Sequence, residues 1–255
     1  MTMNNIPHII HYCWFGRKPL PIWARKYIET WRLHFPGWEI KEWNEDNFDV
    51  NACLFTRQAY EAGKYAFVSD YARFAILLRE GGVYFDTDVE VVGSFNDILD
   101  TGPFMGYETD PGTNGLPYGT VNPGLGLGAF PGMEIYRKIL ERYESMPFQD
   151  ESGHQLDGTV VFHTTEVFRN YGLLPGKAPQ TVAGVTIYPK CYFNPFCDAD
   201  GKLHLTEDSH SIHWYRKTWT GQNRWRIAAA RICHRIFGIG FSAKLKRFLP
   251  KKLSE

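Results

Sequence analysis

Apolar and polar positions alternate along the chain in short blocks that predict a strand, helix, strand order. The run IPHIIHYCWFG (residues 6–16) is apolar and β-branched and ends in glycine, which predicts a buried first strand. Residues 19–35 begin with prolines and predict a helix with one buried face, formed by Ile22, Ile28, Trp31 and Phe35. WEIKEW (38–43) predicts a second strand. Short links between such elements are typical of a parallel α/β sheet.

The most regular helical pattern covers residues 64–80 and ends at a double glycine that leads directly into VYFDTDVEVV (83–92). A loop rich in Gly, Pro and Thr follows at 109–124. The remaining pattern predicts a strand at 124–130, helices near 132–146 and 163–172, and an extended segment at 185–196. No repeat is present, so we expect one α/β domain, residues 1–221, followed by a tail, residues 222–255.

Three acidic residues stand at alternate positions in VYFDTDVEVV: Asp86, Asp88 and Glu90. On a strand they would share one face, and their like charges would require a cation between them. Carboxylate oxygens suit Mg²⁺ or Mn²⁺. The spacing alone is not specific, because a second Asp-x-Asp, Asp198 and Asp200, is followed by Gly201 and predicts a turn.

The helix before these acids carries a charged pair, Asp70 and Arg73, three residues apart on the same face as Phe67 and Phe74. A charged pair on a packed face is costly unless it is partnered or lies at the edge of a cleft. Two interpretations are therefore open: an intrahelical salt bridge, or a pair that belongs to a binding site.

Composition separates the tail from the rest of the chain. The 255 residues are 44% hydrophobic and 16% aromatic and carry no formal net charge. From Arg224 onwards, nine basic residues stand against one acidic residue, which leaves 19 basic and 27 acidic residues in 1–223. Apolar positions alternate with these basic ones, so the tail suits either an anionic membrane surface or packing on the domain with a solvated basic face.

The cysteines and the N-terminus bear on location. Five cysteines without a C-x-x-C pair, after an N-terminus with no signal-like pattern, predict a cytoplasmic protein. No apolar run approaches the roughly 18 to 20 residues that span a bilayer.

Four segments together resemble the DXD-containing glycosyltransferases of family 32, of the capsular polysaccharide type. They are IPHIIHYCWFG, WNEDNFDV, KYAFVSDYARFAILLREGGVYFDTDVEVV and SIHWYRKTW. This family is similar in its catalytic core to initiating mannosyltransferases and clostridial glucosylating toxins. The resemblance implies a GT-A fold, a Rossmann-like sheet flanked by helices, with a nucleotide-sugar donor, a divalent metal (Mn²⁺ or Mg²⁺) and retention of anomeric configuration.

The resemblance also implies roles for individual residues. Asp88 matches the principal metal ligand, and Asp86 matches the aspartate shared between metal, ribose and donor sugar. Asp70 and Arg73 match the pair that holds hydroxyls of the donor sugar. Trp14 matches the aromatic residue that stacks on the nucleobase.

Four further residues complete the expected site. His213 would add a metal ligand or contact the diphosphate, and Trp219 would cap the leaving phosphate; the alternative for His213 is an ordinary core or surface histidine. Asn122 would face the acceptor side of the donor, and the nearby glycines, including Gly124, would permit close backbone approach. Asp157 would reach towards the anomeric carbon. Turn chemistry is the alternative for Asn122 and Asp157.

The resemblance implies a metal-dependent retaining glycosyltransferase, and the expected donor is a UDP-sugar. The expected acceptor is a saccharide or lipid-linked saccharide, no nucleic acid partner is expected, and the tail would hold the protein on the inner face of the membrane. Alternatives are a catalytically inactive relative that binds nucleotide sugars, and a Mg²⁺-dependent phosphatase of the haloacid dehalogenase type. In those phosphatases the Asp-x-Asp motif ends the first strand, whereas in this chain Asp86 and Asp88 come after about 80 residues. A calcium module would need more oxygen ligands close in sequence.

Overall fold

A computed structural model describes residues 5–156, 158–216, 228, 231 and 232. Its strands, numbered along the chain, are β1 (Ile9–Cys13), β2 (Glu39–Trp43), β3 (Gly82–Tyr84), β4 (Val89–Val91), β5 (Phe104–Thr109), β6 (Thr120–Asn122), β7 (Leu127–Ala129), β8 (Gln180–Val182), β9 (Val185–Tyr188), β10 (Phe196–Cys197), β11 (Lys202–Leu203) and β12 (Ser211–His213). Its helices are α1 (Ile22–His34), α2 (Leu54–Glu61), α3 (Tyr65–Glu80), α4 (Asn96–Asp100), α5 (Glu134–Glu144), α6 (Val160–Asn170) and α7 (Lys190–Phe193).

The main sheet has the strand order β2-β1-β3-β7-β5-β9-β8, with β6 paired to β5. Strand β1 is parallel to β2 and β3, and β5 is parallel to β9. Strand β7 is antiparallel to both of its neighbours, β3 and β5. The predicted α/β class is therefore confirmed. The first half of the sheet is parallel as expected, while the second half is mixed.

Helices cover both faces of the sheet, and side chains of successive β3 residues alternate between them. Tyr84 belongs to the core formed with α2, α3, α5 and α6. Val83 and Phe85 belong to the core formed with α1, in which Trp31 is fully buried. The predicted buried face of α1 is confirmed at Ile28, Trp31 and Phe35. It is wrong at Ile22, which lies in the first turn beyond the edge of the core and is 75% exposed.

Of two predictions for less regular segments, one is confirmed and one is wrong in part. The turn predicted at Asp198 to Gly201 joins the antiparallel pair β10 and β11, and Asp200 accepts a hydrogen bond from the backbone N–H of Lys202. The segment 185–196 is not extended throughout. It forms β9 and then, after Pro189, the short helix α7, because proline is tolerated at the start of a helix.

The tail prediction, residues 222–255, falls largely outside the described residues. Arg231 is described, and its guanidinium forms an ion pair with Asp198 at 2.8 Å. Among the described parts of the chain, no helix has the length and apolar character needed to cross a membrane.

Candidate active site

Asp86 and Asp88 lie in a turn that joins two different sheets. Strand β3 ends at Tyr84, and the backbone N–H of Val89 donates to the Asp86 carbonyl at 3.0 Å. The chain then leaves the main sheet to form β4, which pairs with β12. The prediction that both aspartates and Glu90 share a strand face was therefore wrong. Glu90 lies on β4 and accepts a hydrogen bond from the indole N–H of Trp214 at 2.8 Å.

Strand β12 brings His213 to the two aspartates. In its antiparallel pairing with β4, His213 is opposite Val89, the residue after Asp88. The imidazole Nε2 lies 3.2 Å from Asp88 Oδ1 and 3.8 Å from Asp86 Oδ2. One ligand atom from each of the three residues lies within 4.8 Å of the other two. Two carboxylates and one imidazole in this arrangement are a donor set that fits a divalent metal ion.

The electrostatic surroundings favour negative charge on Asp88. Burial raises the pKa of Asp88, but the nearby His213 and the hydrogen bonds to its carboxylate outweigh burial and lower it overall. One of these bonds comes from the backbone N–H of Arg216, 2.7 Å from Asp88 Oδ2. For His213, burial lowers the pKa, but Asp88 and Asp86 outweigh it and raise it to about 10.

Arg73 links the helix pair to the aspartate turn. Its Nη2 lies 2.8 Å from Asp70 Oδ1 and 3.2 Å from Asp86 Oδ1. The intrahelical salt bridge therefore exists, and the same guanidinium also reaches the turn. Arg73 is 3% exposed, and its Nη1 has no hydrogen-bond partner within the described residues. Burial raises the pKa of Asp70 to about 7, against the attraction of Arg73 and with a further contribution from Asp86.

Asp86 is enclosed by two further groups. The Tyr84 hydroxyl donates to Asp86 Oδ1 at 3.1 Å. On the other side, a Cβ atom at position 124 would lie only 2.2 Å from Asp86 Oδ2, so any residue other than glycine would displace the carboxylate. The backbone at Gly124 thus lies close to the Asp86 carboxylate, and its close approach to a donor stays a prediction. Asn122 accepts a hydrogen bond from the Gly124 N–H at 2.7 Å, which is the turn chemistry that the sequence left open.

Trp14 lies at the same edge of the sheet as the aspartates. Strands β1 and β3 are parallel with His11 opposite Tyr84, so Trp14 and Asp86 both follow the carboxyl ends of their strands. Trp14 is half-buried, and its indole N–H donates to the Lys18 carbonyl at 2.7 Å. Its stacking on a base stays a prediction. Trp219 and Asp157 lie outside the described residues.

Sequence reasoning missed three residues around the group of Asp86, Asp88 and His213. Tyr84 contacts Asp86. Tyr215 contacts His213, and Arg216 contacts Asp88. Tyr84 carried a usable signal, since alternation on a strand places it on the same side as Asp86. Arg216 contacts Asp88 through its backbone, so its side-chain identity held no signal for that contact.

Two sequence comparisons relate the region of these residues to glycosyltransferases. Residues 22–105 match a family described as "Glycosyltransferase sugar-binding region containing DXD motif", and this range includes Asp70, Arg73, Asp86 and Asp88. The chain is also 33% identical, over 110 residues, to "Uncharacterized glycosyltransferase L373" of Acanthamoeba polyphaga mimivirus. That similarity covers 39% of this chain and 42% of the mimivirus protein, so the chain spans less than half of this relative.

Three solved structures are similar in overall shape. The first is PaToxG glycosyltransferase (TM-score 0.47, 17% identity, 66% of this chain and 70% of that one). The second is a glycosyltransferase involved in the glycosylation of the major capsid of PBCV-1 (0.46, 15%, 88% and 98%). The third is the galactosyltransferase LgtC in complex with donor and acceptor sugar analogs (0.45, 12%, 88% and 95%). The mixed sheet with helices on both faces is the architecture expected of the GT-A fold.

Proposed function

We propose that the protein is a metal-dependent glycosyltransferase that moves a sugar from a nucleotide-sugar donor to a saccharide acceptor. The observation that carries the proposal is the convergence of Asp86, Asp88 and His213. These residues come from the β3–β4 turn and from β12, far apart in the chain, and they lie beside the buried Arg73–Asp70 pair. The match of residues 22–105 to a DXD glycosyltransferase family supports the same activity.

Asp86, Asp88 and His213 would hold the divalent cation. When bound, Mg²⁺ or Mn²⁺ supplies positive charge that stabilises a departing diphosphate. The backbone N–H of Arg216 keeps the Asp88 carboxylate in place, and Tyr84 and Arg73 do the same for Asp86. Most of this orientation is thus built into the protein, which is the condition for electrostatic catalysis.

Arg73 and Asp70 would orient the donor sugar. The Arg73 guanidinium has an Nη1 without a partner among the described residues, and a buried N–H of this kind costs about 1–3 kcal/mol unless a ligand or water satisfies it. A sugar hydroxyl would satisfy this donor, with the Asp70 carboxyl beside it as an acceptor. The site thereby discriminates between sugars through hydroxyl positions.

The finer assignments follow the sequence resemblance and are part of the proposal. They are membership of glycosyltransferase family 32, a UDP donor with Trp14 on the base, Trp219 on the leaving phosphate, retention of configuration, and a role in capsular or surface polysaccharide synthesis. A lipid-linked acceptor would place the protein at the inner face of the membrane. The basic, apolar pattern of residues 222–255 supports that location.

The deciding experiment is a panel of UDP- and GDP-sugars assayed with purified protein in the presence of Mn²⁺, Mg²⁺ or EDTA. We expect release of nucleoside diphosphate from one donor with either metal and none with EDTA. Asp88→Asn should abolish turnover, whereas Asp70→Asn should mainly impair use of the preferred sugar. Full activity in EDTA would refute metal dependence.

An inactive relative that only binds nucleotide sugars is the second candidate, because the buried charges at Arg73 would also serve binding alone. Metal-dependent donor binding without any turnover, across the panel and with added saccharides, would favour it. Neither binding nor turnover would reject both candidates.

A further inference from the structure

Tyr215 has an unusual backbone conformation at the point where the chain leaves β12. Its φ angle is 47°, in the left-handed region that residues other than glycine rarely adopt. A residue in such a region is strained, and the conformation persists only where surrounding contacts enforce it. The conformation therefore calls for contacts that hold Tyr215 in place.

Two residues from elsewhere in the fold hold the Tyr215 hydroxyl. It donates to Glu108 Oε1 at 3.1 Å and accepts from Asn194 Nδ2 at 2.8 Å. Glu108 belongs to β5 of the main sheet, and Asn194 directly follows α7 and is 1% exposed. The hydroxyl is thus bonded to two other parts of the domain, as a donor to Glu108 and as an acceptor from Asn194.

The residues on either side of the turn at Tyr215, His213 and Arg216, both contact the aspartates. The Tyr215 ring lies edge-on to the His213 ring, with centroids 4.2 Å apart and an interplanar angle of 78°. On the other side of the turn, the Arg216 N–H donates to Asp88 Oδ2. Reversal of the chain at Tyr215 lets both groups point at the same carboxylate.

His213 lacks the support that usually orients a metal-ligating histidine. Such residues almost always donate their second ring N–H to a carboxylate, carbonyl or water. The Nδ1 of His213 is buried and has no hydrogen-bond partner among the residues that the structure describes. The contact with Tyr215 is then a means of fixing the imidazole plane without a hydrogen bond to Nδ1.

We propose that Tyr215 is a positioning residue for the metal site, fixing the His213 ring and the Arg216 N–H through its anchored hydroxyl and left-handed turn. The proposal rests on the proposed function in one respect, that the Asp86, Asp88 and His213 group binds a divalent cation.

The test is the Mn²⁺ affinity of Tyr215→Phe, measured by calorimetry and by the electron paramagnetic resonance signal of free Mn²⁺, without any sugar donor. Loss of an outer contact typically weakens metal binding about 10–100-fold. We expect a weakening in this range, measured at a temperature where the variant is folded, together with a lower melting temperature because Glu108 and the buried Asn194 each lose a hydrogen-bond partner. Tyr171→Phe is the matched control, because this tyrosine is 42% exposed at the end of α6, away from the site.

Two further variants separate positioning from general packing. Tyr215→Gly relieves the backbone strain but removes the ring, so it should also bind Mn²⁺ weakly. Glu108→Gln weakens the hydroxyl anchor while keeping the ring, so it should weaken Mn²⁺ binding less than Tyr215→Gly does, and it replaces Tyr215→Phe if that variant does not fold.

Three outcomes would overturn the inference. Wild-type Mn²⁺ affinity in Tyr215→Gly would show that the ring has no positioning role. A lower melting temperature with unchanged Mn²⁺ affinity in Tyr215→Phe would show a purely structural role. Absence of Mn²⁺ binding in the wild-type protein would refute this inference together with the metal requirement of the proposed function, whereas normal binding in the variants refutes this inference alone.

Discussion

Gly124→Ala is the smallest substitution that should disable the candidate site. The added methyl carbon would lie 2.2 Å from Asp86 Oδ2 and 3.1 Å from Asn122 Oδ1. The backbone of Gly124 has no positive φ angle, so alanine introduces no conformational strain of its own. The effect should therefore come from the collision with the Asp86 carboxylate and, to a smaller extent, from the tighter contact with Asn122.

The size of the effect follows from the contacts that Asp86 would lose. Ordinary carbon–oxygen contacts need about 3.4 Å or more, so the carboxylate must move by roughly 1 Å. Its present position is fixed by Tyr84 at 3.1 Å and Arg73 at 3.2 Å, and a shift of this size breaks or lengthens both bonds. We expect Mn²⁺ affinity to fall about 10–100-fold, which corresponds to about 1.4–2.8 kcal/mol.

Gly128→Ala provides the matched control. A methyl carbon there would also be crowded, at 2.4 Å from the Phe104 ring, but it lies within the core and not against a carboxylate. We expect Gly128→Ala to lower the melting temperature and leave the Mn²⁺ affinity of the folded protein unchanged. Gly124→Ala should instead weaken Mn²⁺ binding by the folded protein, in addition to any loss of stability from the disturbed Asp86 contacts. If Gly124→Ala binds Mn²⁺ as tightly as the wild-type protein does, the placement of Asp86 in the metal site is incorrect.

Three other predictions concern charge and stacking. Burial raises the pKa of Asp70 from 3.8 to about 7, so the folded protein loses stability as the pH rises from 3.8 to 7. The free energy of unfolding, measured by chemical denaturation at pH 5 and pH 8, should differ less in Asp70→Asn than in the wild-type protein. An equal difference would contradict the raised pKa of Asp70. Burial lowers the pKa of His11 from 6.5 to about 4, so stability should be complete above pH 6.5 and fall between pH 6.5 and 4, by up to about 3 kcal/mol; His11→Gln should flatten this acid limb of the denaturation profile. Trp14→Ala should weaken nucleotide binding by about 1–3 kcal/mol in calorimetry, and unchanged UDP affinity would return Trp14 to a packing role.

The elements that sequence predicted well are those whose packing is locally encoded. The 64–80 pattern gave a helix close to α3, and its double glycine marks the start of β3. Apolar periodicity works here because α3 packs along its length against the sheet and α5. It also placed Asp70 and Arg73 on the packed face correctly, since three-residue spacing fixes that relation in any α-helix.

The sequence could not show how the aspartates converge. The alternation of Asp86, Asp88 and Glu90 is the pattern of a strand, yet β3 ends at Tyr84 and, after single hydrogen bonds from the N–H groups of Phe85 and Asp86, the chain turns away. It then forms β4, whose pairing partner, β12, lies with it in another sheet. That partner is more than a hundred residues further along the chain. The local sequence pattern carries no information about strand pairing over so long a distance in the chain, so the turn that holds Asp86 and Asp88 was predicted as a strand.

The two cationic side chains at the aspartates approach from different parts of the fold. Arg73 comes from α3 and contacts Asp86, while His213 comes from β12 and lies nearest to Asp88. An arginine keeps its charge at any ordinary pH, whereas a histidine can give up its proton and bind a metal through nitrogen. The two cations are therefore not equivalent: Arg73 suits permanent compensation of Asp86 and contact with a sugar, and His213 suits exchange of a proton for a metal ion. Under the proposed function, this asymmetry would distinguish the sugar side of the site from the diphosphate side.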